Sequence, residues 1–472
     1  MGTARRITSN FLSLAIAEVV SKAIQLIIFI YIARVFGKSE FGKFGFALAF
    51  ATISLVIVDF GINTSLIREI SRNKKGVKKY VSNALIIKAF LSSITFLVAS
   101  IFLKIGGYTD SIRIITYLML LFVVLQSFTD LFYSVFRAFE RMHYDSLIKV
   151  LRMFSLSTLV FIVIMNKASI TIVTLMFPIT EIFVLIVSSI IYIKKFTKIS
   201  LKLDVEFSKD ILKISIPFWL SIISSSLIFV GVVILEDIRG STEVGIYTAA
   251  FNLLLGLTYI PLMFSTAIFP VFSRYFVKDK PLLKLAYKKS FQYMLILGLP
   301  ITIGLYVYAK DIILLVYGSN YFDSIIAIKI LSWIVLLRFV NITSGTTLSS
   351  INRQVSRVFS QATGGILNLL FSILLIPNLG FVGLCIALII SESCTGLMYN
   401  YFIIKHGLKI EFIKSSAKPI IATIFMTLII INIPNLFLGF IFGIISYIII
   451  LFILKTFEGD DKEILRRIIM NN

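Results

Sequence analysis

Long apolar segments alternate with short polar segments from one end of the chain to the other. Each apolar segment has about 20 residues, which is the length that an α-helix needs to cross about 30 Å of hydrocarbon. The pattern predicts an all-α polytopic membrane protein with about fourteen transmembrane helices, near residues 11–33, 42–64, 82–103, 114–136, 147–165, 170–193, 212–235, 246–271, 290–309, 325–350, 358–376, 381–404, 417–433 and 436–454.

Composition supports the same class. Hydrophobic residues make up 58% of the 472 residues and mean hydropathy is +0.98, whereas soluble domains contain about 45–50% apolar residues. The first apolar segment is longer than the stretch of about 7–15 residues found in cleaved signal peptides. We therefore expect it to remain in the mature protein.

A short motif occurs twice and indicates an internal duplication. Residues 37–47 read GKSEFGKFGFA and residues 240–250 read GSTEVGIYTAA. The matching positions, at a constant offset of 203, are Gly37/Gly240, Glu40/Glu243, Gly42/Gly245, Phe44/Tyr247 and Ala47/Ala250. Each copy lies between two predicted spans, so the repeated unit contains several helices, as in transporters built from internal repeats.

A second pair of positions extends this duplication. Glu181 and Glu392 each lie in a predicted span, and each precedes a lysine by 13 positions. Six predicted spans in each half are an even number, so both halves enter the membrane in the same direction, which makes the repeat parallel. We expect two six-helix lobes, 1–200 and 201–410, followed by a terminal helix pair with a cytoplasmic tail, 411–472.

The basic residues indicate how the chain is oriented. The formal charge of +22, from 46 Lys and Arg against 24 Asp and Glu, would suggest nucleic-acid binding in a soluble protein. Here most cations fall in alternate connecting segments, which is the positive-inside pattern. It predicts cytoplasmic termini in the plasma membrane, contact with anionic lipid and no nucleic-acid partner. These segments are 5–6, 68–80, 137–152, 194–213, 274–289, 353–357, 405–418 and 455–467.

The sequence offers little material for enzymatic chemistry. His143 and His406, the two histidines, lie in predicted cytoplasmic loops, where a solvated side chain is the expected state. The chain contains no Walker A, HExxH or GxSxG motif. We therefore expect no catalysis, no metal and no cofactor.

Ionisable residues inside predicted spans are the candidates for function. A charged residue at the membrane centre costs about 2.5–3.5 kcal/mol on insertion scales, so it normally faces a cavity or a partner. Three cations inside predicted spans, Lys22, Lys88 and Arg338, predict a positive cavity for a phosphate or diphosphate group. The arginine would bind that group through two parallel hydrogen bonds. The acids are candidates for binding a coupling ion. The predicted substrate-binding residues are Arg338, Lys22 and Lys88, and the ion-coupling candidates are Glu181, Glu392 and Asp59.

Each candidate also has a structural interpretation. Lys22 can neutralise Glu18 one helical turn away, and Lys88 can snorkel to the cytoplasmic headgroups. Arg338 can belong to a structural ion pair. Asp59 lies near a helix end, where we favour solvation or pairing with Arg68.

Polar side chains near these residues can bind a sugar or another helix. Hydroxyl and amide groups follow Arg338 in the tenth predicted span, and they can hydrogen-bond either sugar hydroxyls or neighbouring helices. They are Asn341, Thr343, Ser344, Thr346 and Thr347.

Three sequence segments resemble a known family. They read NFLSLAIAEVVSKAIQLIIFIYIARVFGKSEFGKFGFALAF, DFGINTSLIREISR and NLGFVGLCIALIISE. They resemble the polysaccharide flippases, the Wzx-like branch of the multidrug/oligosaccharidyl-lipid/polysaccharide exporter superfamily. The resemblance covers essentially the whole chain.

This resemblance implies both an architecture and a function. It implies two lobes in a V shape around a central cavity, and alternating access that moves polyprenyl-(di)phosphate-linked oligosaccharide to the outer leaflet. Because the sequence offers no nucleotide site, the substrate gradient, the membrane potential or an ion can drive transport; we favour the potential or an ion, H⁺ or Na⁺, and expect glycan-assembly enzymes as partners.

Three alternatives stay open. A multidrug and toxin cation antiporter would favour a cavity dominated by acids, and Glu181, Glu392 and Asp59 keep that class in consideration. A flippase for the peptidoglycan lipid precursor differs from the first hypothesis only in its substrate. A membrane-embedded glycan polymerase or ligase would need large external loops, and the predicted external loops are short.

Overall fold

A computed structural model describes residues 3–200, 202–408 and 412–456, with side chains described from residue 17 in the first range and from residue 416 in the last. The side chains of Arg5 and Arg6 lie outside these described parts. So does the predicted cytoplasmic tail after residue 456.

The described residues form sixteen α-helices joined by short turns. In chain order they are α1 (Thr3–Asp59), α2 (Ile62–Arg72), α3 (Val77–Ile105), α4 (Asp110–Ala138), α5 (Met142–Met165), α6 (Ile170–Lys195), α7 (Val205–Arg239), α8 (Ser241–Leu257), α9 (Tyr259–Lys278), α10 (Lys280–Val307), α11 (Ala309–Val316), α12 (Ser324–Ser350), α13 (Gln354–Leu379), α14 (Phe381–Lys405), α15 (Phe412–Ile431) and α16 (Leu436–Ile453).

The helices account for the predicted spans. Twelve helical segments of the described chain are long and apolar enough to cross a membrane. The first of them contains two predicted spans, which are separated by a break at Gly37. Residues 416–431 form a shorter apolar helix. Together these segments match the fourteen predicted spans, and the all-α membrane fold is confirmed.

The second predicted span ends earlier than expected. α1 ends at Asp59 because Phe60 and Gly61 have positive φ angles of 47° and 74°, which an α-helix does not contain. The chain then begins the short helix α2, in which apolar residues alternate with polar and charged ones. The hydrophobic pattern alone merged the start of α2 with the span before it.

The two copies of the glycine motif break the helix in the same way. Gly37 has φ 73° and ψ 175°, and Gly240 has φ 83° and ψ 174°. This combination is open essentially to glycine alone, because a Cβ would collide with the backbone. The repeated sequence therefore encodes a repeated backbone conformation.

The same motif brings two backbones into direct contact. A Cβ atom added to Gly42 would lie 1.6 Å from the carbonyl oxygen of Ser241, and one added to Gly245 would lie 1.8 Å from that of Lys38. Lys38 and Ser241 are themselves equivalent at the offset of 203. The contact is therefore reciprocal, and we call Lys38, Gly42, Ser241 and Gly245 the glycine junction.

The first of two compact units contains Met1–Thr248 and Ser372–Gly380. α4 packs on α1, α2 and α6, and its apolar residues, including Phe132 and Phe136, form the centre of the core. α2 docks onto this core through Ile62, Leu66 and Ile70, all of which are buried. The glycine junction lies within this unit.

The second unit contains Ala249–Phe371 and Phe381–Asn472. Its core joins α9, α10, α12 and α14 around Phe272, Tyr287 and Leu348. α15 and α16 belong to the same unit and are fixed to α10 and its end. Tyr308 Oη donates to the carbonyls of Ile430 and Ile433 at 3.0 and 2.9 Å. The lobe boundaries at residues 200 and 410 stay a prediction.

Candidate functional site

Lys88 forms a buried ion pair in the first unit. Its ammonium on α3 lies 2.8 Å from Asp59 Oδ1 at the end of α1 and donates to Ser127 of α4 through both the carbonyl, at 3.0 Å, and the hydroxyl. Lys88 is 0% exposed, so it does not snorkel. Asp59 pairs with Lys88 rather than with Arg68, whose Nε contacts Glu69.

Arg152 and Glu181 form a second buried pair, between α5 and α6. Arg152 Nε lies 3.0 Å from Glu181 Oε2, and Nη2 donates to Oε1 at 3.2 Å. Thr129 of α4 also donates to Oε1, at 2.7 Å, and the ring of Tyr133 lies 5.7 Å from the guanidinium carbon. Two contacts from one guanidinium hold Glu181 in a fixed orientation.

Arg152 is a site residue that the sequence analysis missed, because it was counted with the cytoplasmic segment 137–152. The signal was present, since the fifth predicted span begins at residue 147 and Arg152 lies inside it. In the structure α5 begins at Met142, so Arg152 is almost three turns into the helix.

A third group of charges connects α1 with α4 and α5. Lys149 lies 2.9 Å from Glu18 Oε2 and 3.5 Å from Asp145 Oδ1. Arg137 Nε lies 2.7 Å from Asp145 Oδ2. Lys22 donates to Gln25 at 3.0 Å, and Glu18 is among the charges that act on it. Lys22 therefore stands beside this chain of alternating charges.

The first unit thus pairs acids with cations, where the sequence predicted an excess of cations. The five pairs described above connect five helices, α1 and α3 to α6. Asp130 of α4 lies among them, within the field of Lys88, Arg137, Lys149 and Arg152. Such a network remains stable in a membrane because each charge has an opposite neighbour.

Arg338 and Glu392 form the corresponding pair in the second unit. Arg338 Nε of α12 donates to Glu392 Oε1 of α14 at 2.8 Å, and both side chains are 15% exposed. Asn341 donates to Glu392 Oε2 at 3.1 Å, and the ring of Phe251 lies 5.7 Å from the guanidinium carbon. Within the described chain, the terminal nitrogens of Arg338 have no hydrogen-bond partner.

The hydroxyl groups after Arg338 mostly serve the helix bundle. Thr343 and Thr347 are fully buried and donate to carbonyls four residues earlier. Ser344 shares a hydrogen bond of 3.1 Å with Tyr287, and Thr346 donates to Ile342. Three of these hydrogen bonds lie within α12 and that of Ser344 joins α12 to α10, so they favour a structural role over sugar binding.

The two glutamates of the repeat have similar but not identical environments. Glu181 lies on α6 and Glu392 on α14, and each pairs with an arginine. Each also accepts from the fourth spanning helix of its half, from Thr129 in one and Asn341 in the other. The two arginines, however, come from non-equivalent helices, α5 and α12. The substrate and ion roles of all six candidates stay predictions.

Metal or histidine chemistry has no support in this region. The described residues contain no cluster of His, Cys, Asp and Glu that could hold a metal ion. The ring of His143 lies against Tyr144, with centroids 4.1 Å apart. Burial, together with the neighbouring cations Arg353 and Lys405, lowers the pKa of His406 below its usual value.

The Arg152–Glu181 pair gives a measurable expectation for stability. Arg152→Met leaves Glu181 buried without its partner, which should lower the free energy of unfolding by about 3–5 kcal/mol. The double variant Arg152→Met/Glu181→Leu should recover most of that loss, because no unpaired charge remains. Reversible unfolding in mixed detergent micelles would measure both values.

The exposed pair Arg113–Asp110 provides the control for this comparison. Arg113→Met should cost no more than about 1 kcal/mol. A double variant as unstable as Arg152→Met would contradict the assignment of the instability to an unpaired charge.

Residues 7–276 match the family model described as polysaccharide biosynthesis protein. The chain belongs to this family. The match covers more than half of the chain and begins before the first predicted span, and it confirms the resemblance seen in the sequence segments.

This family member is similar to two archaeal proteins. It is 23% identical over 458 residues to the probable low-salt glycan biosynthesis flippase Agl15 of Haloferax volcanii, covering 92% of this chain and 93% of that protein. It is also 23% identical over 409 residues to the uncharacterized membrane protein MJ1068 of Methanocaldococcus jannaschii, covering 79% and 80% of the two chains.

Two solved structures share the fold of this family member. The lipid II flippase MurJ in an inward closed conformation has a TM-score of 0.81 at 14% identity, covering 93% of this chain and 98% of that one. An inward-facing multidrug resistance MATE family transporter has a TM-score of 0.65 at 16% identity, covering 82% and 94%. At these identities the similarity establishes the fold alone.

Proposed function

We propose that the protein is a flippase that moves polyprenyl-(di)phosphate-linked oligosaccharide from the cytoplasmic to the external leaflet by alternating access. The family, the similarity to a probable glycan flippase over nearly the whole chain and the MurJ-like fold support this function. Translocation breaks no covalent bond, so the proposal assigns a transporter rather than an enzyme.

The main structural observation behind this proposal is the orientation of the Arg338 guanidinium. Its guanidinium is oriented by Glu392 through Nε, while both terminal nitrogens remain available and the side chain is partly exposed. Two parallel donors on one planar group match two oxygens of a phosphate. We assign Arg338 the phosphate contact, with Glu392 and Asn341 holding it in position.

Lys22 and Lys88 have secondary roles in phosphate binding in this proposal. We assign Lys22, which lies on α1 within the field of Glu18 and donates to Gln25, the second phosphate contact. Lys88 reaches a phosphate only after it leaves Asp59. Protonation of Asp59, or Na⁺ binding to it, would release Lys88, because the ammonium would lose its counter-charge.

We propose that transport is coupled to an ion or to the membrane potential, with Asp59, Glu181 and Glu392 as the ion-binding groups. The measurement is flipping of a fluorescent polyprenyl-diphosphate glycan in proteoliposomes. Collapse of the proton and sodium gradients and of the potential should slow flipping at least tenfold, which corresponds to about 1.4 kcal/mol. An unchanged rate after all three are collapsed would eliminate this form of coupling.

The terminal helix pair supplies an apolar surface for the lipid tail in this proposal. Ile424, Phe425 and Leu428 of α15, and Phe440 and Phe452 of α16, are large apolar side chains with exposed surfaces. Hydrocarbon covers such surfaces in a membrane. We propose that the polyprenyl chain stays in the bilayer beside α15 and α16 while the headgroup crosses.

A deletion strain tests the function as a whole. Loss of the protein should accumulate polyprenyl-linked oligosaccharide on the cytoplasmic leaflet and leave sensitivity to cationic dyes unchanged. Lipid-linked glycan can be quantified by mass spectrometry and its leaflet determined by lectin access to spheroplasts. Dye sensitivity with normally distributed glycan would favour the cation antiporter. Accumulation of the peptidoglycan precursor alone would favour that substrate.

The cellular setting is part of the same proposal. The positive-inside pattern supports a plasma-membrane location with cytoplasmic N- and C-termini. Enzymes that assemble the glycan on the cytoplasmic face would supply the substrate and are the expected protein partners.

A further inference from the structure

The helix α2 lies outside the candidate spans, in a segment that the positive-inside pattern predicts to be cytoplasmic. Its apolar residues are buried in the core of the first unit, so the opposite face is turned outward. This face continues into the turn before α3. Arg72, whose side chain is 69% exposed, is followed by Lys74, Lys75 and Lys78, which are all exposed.

Two further segments of the first unit extend this cationic face. Lys74 Nζ lies 5.6 Å from the ring centre of Phe139, after the end of α4. Phe139 packs against Phe196, after the end of α6, with centroids 5.0 Å apart. Arg141 lies over the ring of Phe196, with its guanidinium carbon 5.6 Å from the ring centre.

These contacts place three connecting segments side by side. Their exposed cations form one area that we call the basic surface. It consists of Arg72, Lys74, Lys75, Lys78, Arg141, Lys194, Lys195 and Lys198.

Acids in the same segments balance only part of this surface. Glu69 contacts Arg68 at 2.9 Å and Arg72 at 3.6 Å. Asp204 pairs with Lys79 at 2.7 Å, and that hydrogen bond, together with the backbone N–H of Phe207, lowers the pKa of Asp204. The other acids near these segments are Glu140 and Glu206, the latter in the first turn of α7. Lys75 and Lys78 have no partner in the described part of the chain.

The position of the cations relative to the spans indicates what they meet. Lys78 lies in the first turn of α3, and Lys194 and Lys195 lie in the last turn of α6. The exposed apolar residues Ile190 and Ile193 lie next to these lysines on α6. Cations at the ends of apolar helices stand at the level of lipid headgroups, whereas a soluble partner would contact cations projecting further from the membrane.

We propose that the basic surface binds the headgroups of anionic phospholipids in the cytoplasmic leaflet. The cations are held on α2 and on the helix ends rather than on a flexible tail, so the surface retains a small number of lipids at fixed positions. Lysine provides point charges suited to phosphodiester groups that differ in orientation. This inference does not depend on the transported substrate.

The test is lipid retention by the full chain in nanodiscs of phosphatidylcholine that contain phosphatidylglycerol. Native mass spectrometry counts the lipids that remain bound to the released protein. The wild type should retain phosphatidylglycerol in preference to phosphatidylcholine. The variant Lys75→Gln/Lys78→Gln/Lys195→Gln should reduce that preference roughly tenfold, because three charges at the headgroup level are removed. Raising the salt to about 1 M should reduce the wild-type preference, because the screening length falls to about 3 Å.

The variant Lys104→Gln/Lys167→Gln/Lys310→Gln is the matched control. It removes the same charge from three exposed lysines in segments predicted to be external, and it should keep the wild-type preference. Equal retention by both triple variants would overturn the proposal. An absence of preference in the wild type would do the same, and would favour an acidic soluble partner.

Discussion

Arg338→Ala is expected to reduce flipping of lipid-linked glycan to background while the protein remains folded in the membrane. The variant removes both terminal nitrogens that are available to a phosphate. Arg338→Lys should be intermediate, because the charge survives and the planar fork does not. The rate is measured in proteoliposomes with a fluorescent lipid-linked glycan, and folding is measured by thermal unfolding and size-exclusion chromatography.

A double variant separates binding from structure at this position. Arg338→Ala leaves Glu392 without its main partner, so a loss of transport could arise from the exposed acid alone. Arg338→Ala/Glu392→Gln removes that charge and keeps an amide near Asn341. If Arg338 binds phosphate, the double variant is stable and still inactive. Recovery of transport in the double variant would show that Arg338 acts only as the structural partner of Glu392.

Gly42→Ala and Gly245→Ala are expected to prevent recovery of folded protein. The new methyl group would lie 1.6 Å from the Ser241 oxygen in the first variant and 1.8 Å from the Lys38 oxygen in the second. The obstacle is backbone, which cannot rotate away as a side chain can. The cost should therefore reach about 3 kcal/mol or more, at the upper end of overpacking effects.

Gly304→Ala is the matched control for the glycine junction. It lies inside α10 and a Cβ there would meet nothing within 4 Å. Alanine favours a helix over glycine, so this variant should be as stable as the wild type. Yields and melting temperatures of the three variants in detergent provide the comparison. Wild-type stability of Gly42→Ala would mean that the two backbones separate easily.

The hydrophobic pattern was sufficient to predict the spans, apart from the end of the second, and the repeated glycine motif indicated the duplication. Apolar length depends on the bilayer thickness, which is known in advance. The motif at Gly37 and Gly240 was visible because glycine is the only residue that adopts its backbone conformation at low cost. The sequence therefore predicted that Lys88, Arg338 and Glu392 lie within the membrane.

The partners of these charges were not available from the sequence. Lys88 and Asp59 are 29 positions apart, and so are Arg152 and Glu181. The contact between two helices depends on which faces they turn toward each other. A helix that is surrounded by both protein and lipid is apolar on most sides, so its hydrophobic pattern does not indicate that face. For the same reason the sequence analysis treated Arg338 and Glu392 as separate candidates, although the structure places them 2.8 Å apart.

The glycine junction has a consequence for how the two copies of the motif diverge. Its geometry is that of an interface in a two-fold symmetric homodimer, in which residue i of one subunit meets residue j of the other and the reverse also holds. Here one polypeptide supplies both sides. Because each glycine meets a backbone carbonyl oxygen, the contact itself does not require a particular side chain at the two contacted positions, and the chain carries lysine at one and serine at the other. The duplicated segments can therefore lose sequence similarity at these positions while the symmetry of their contact persists.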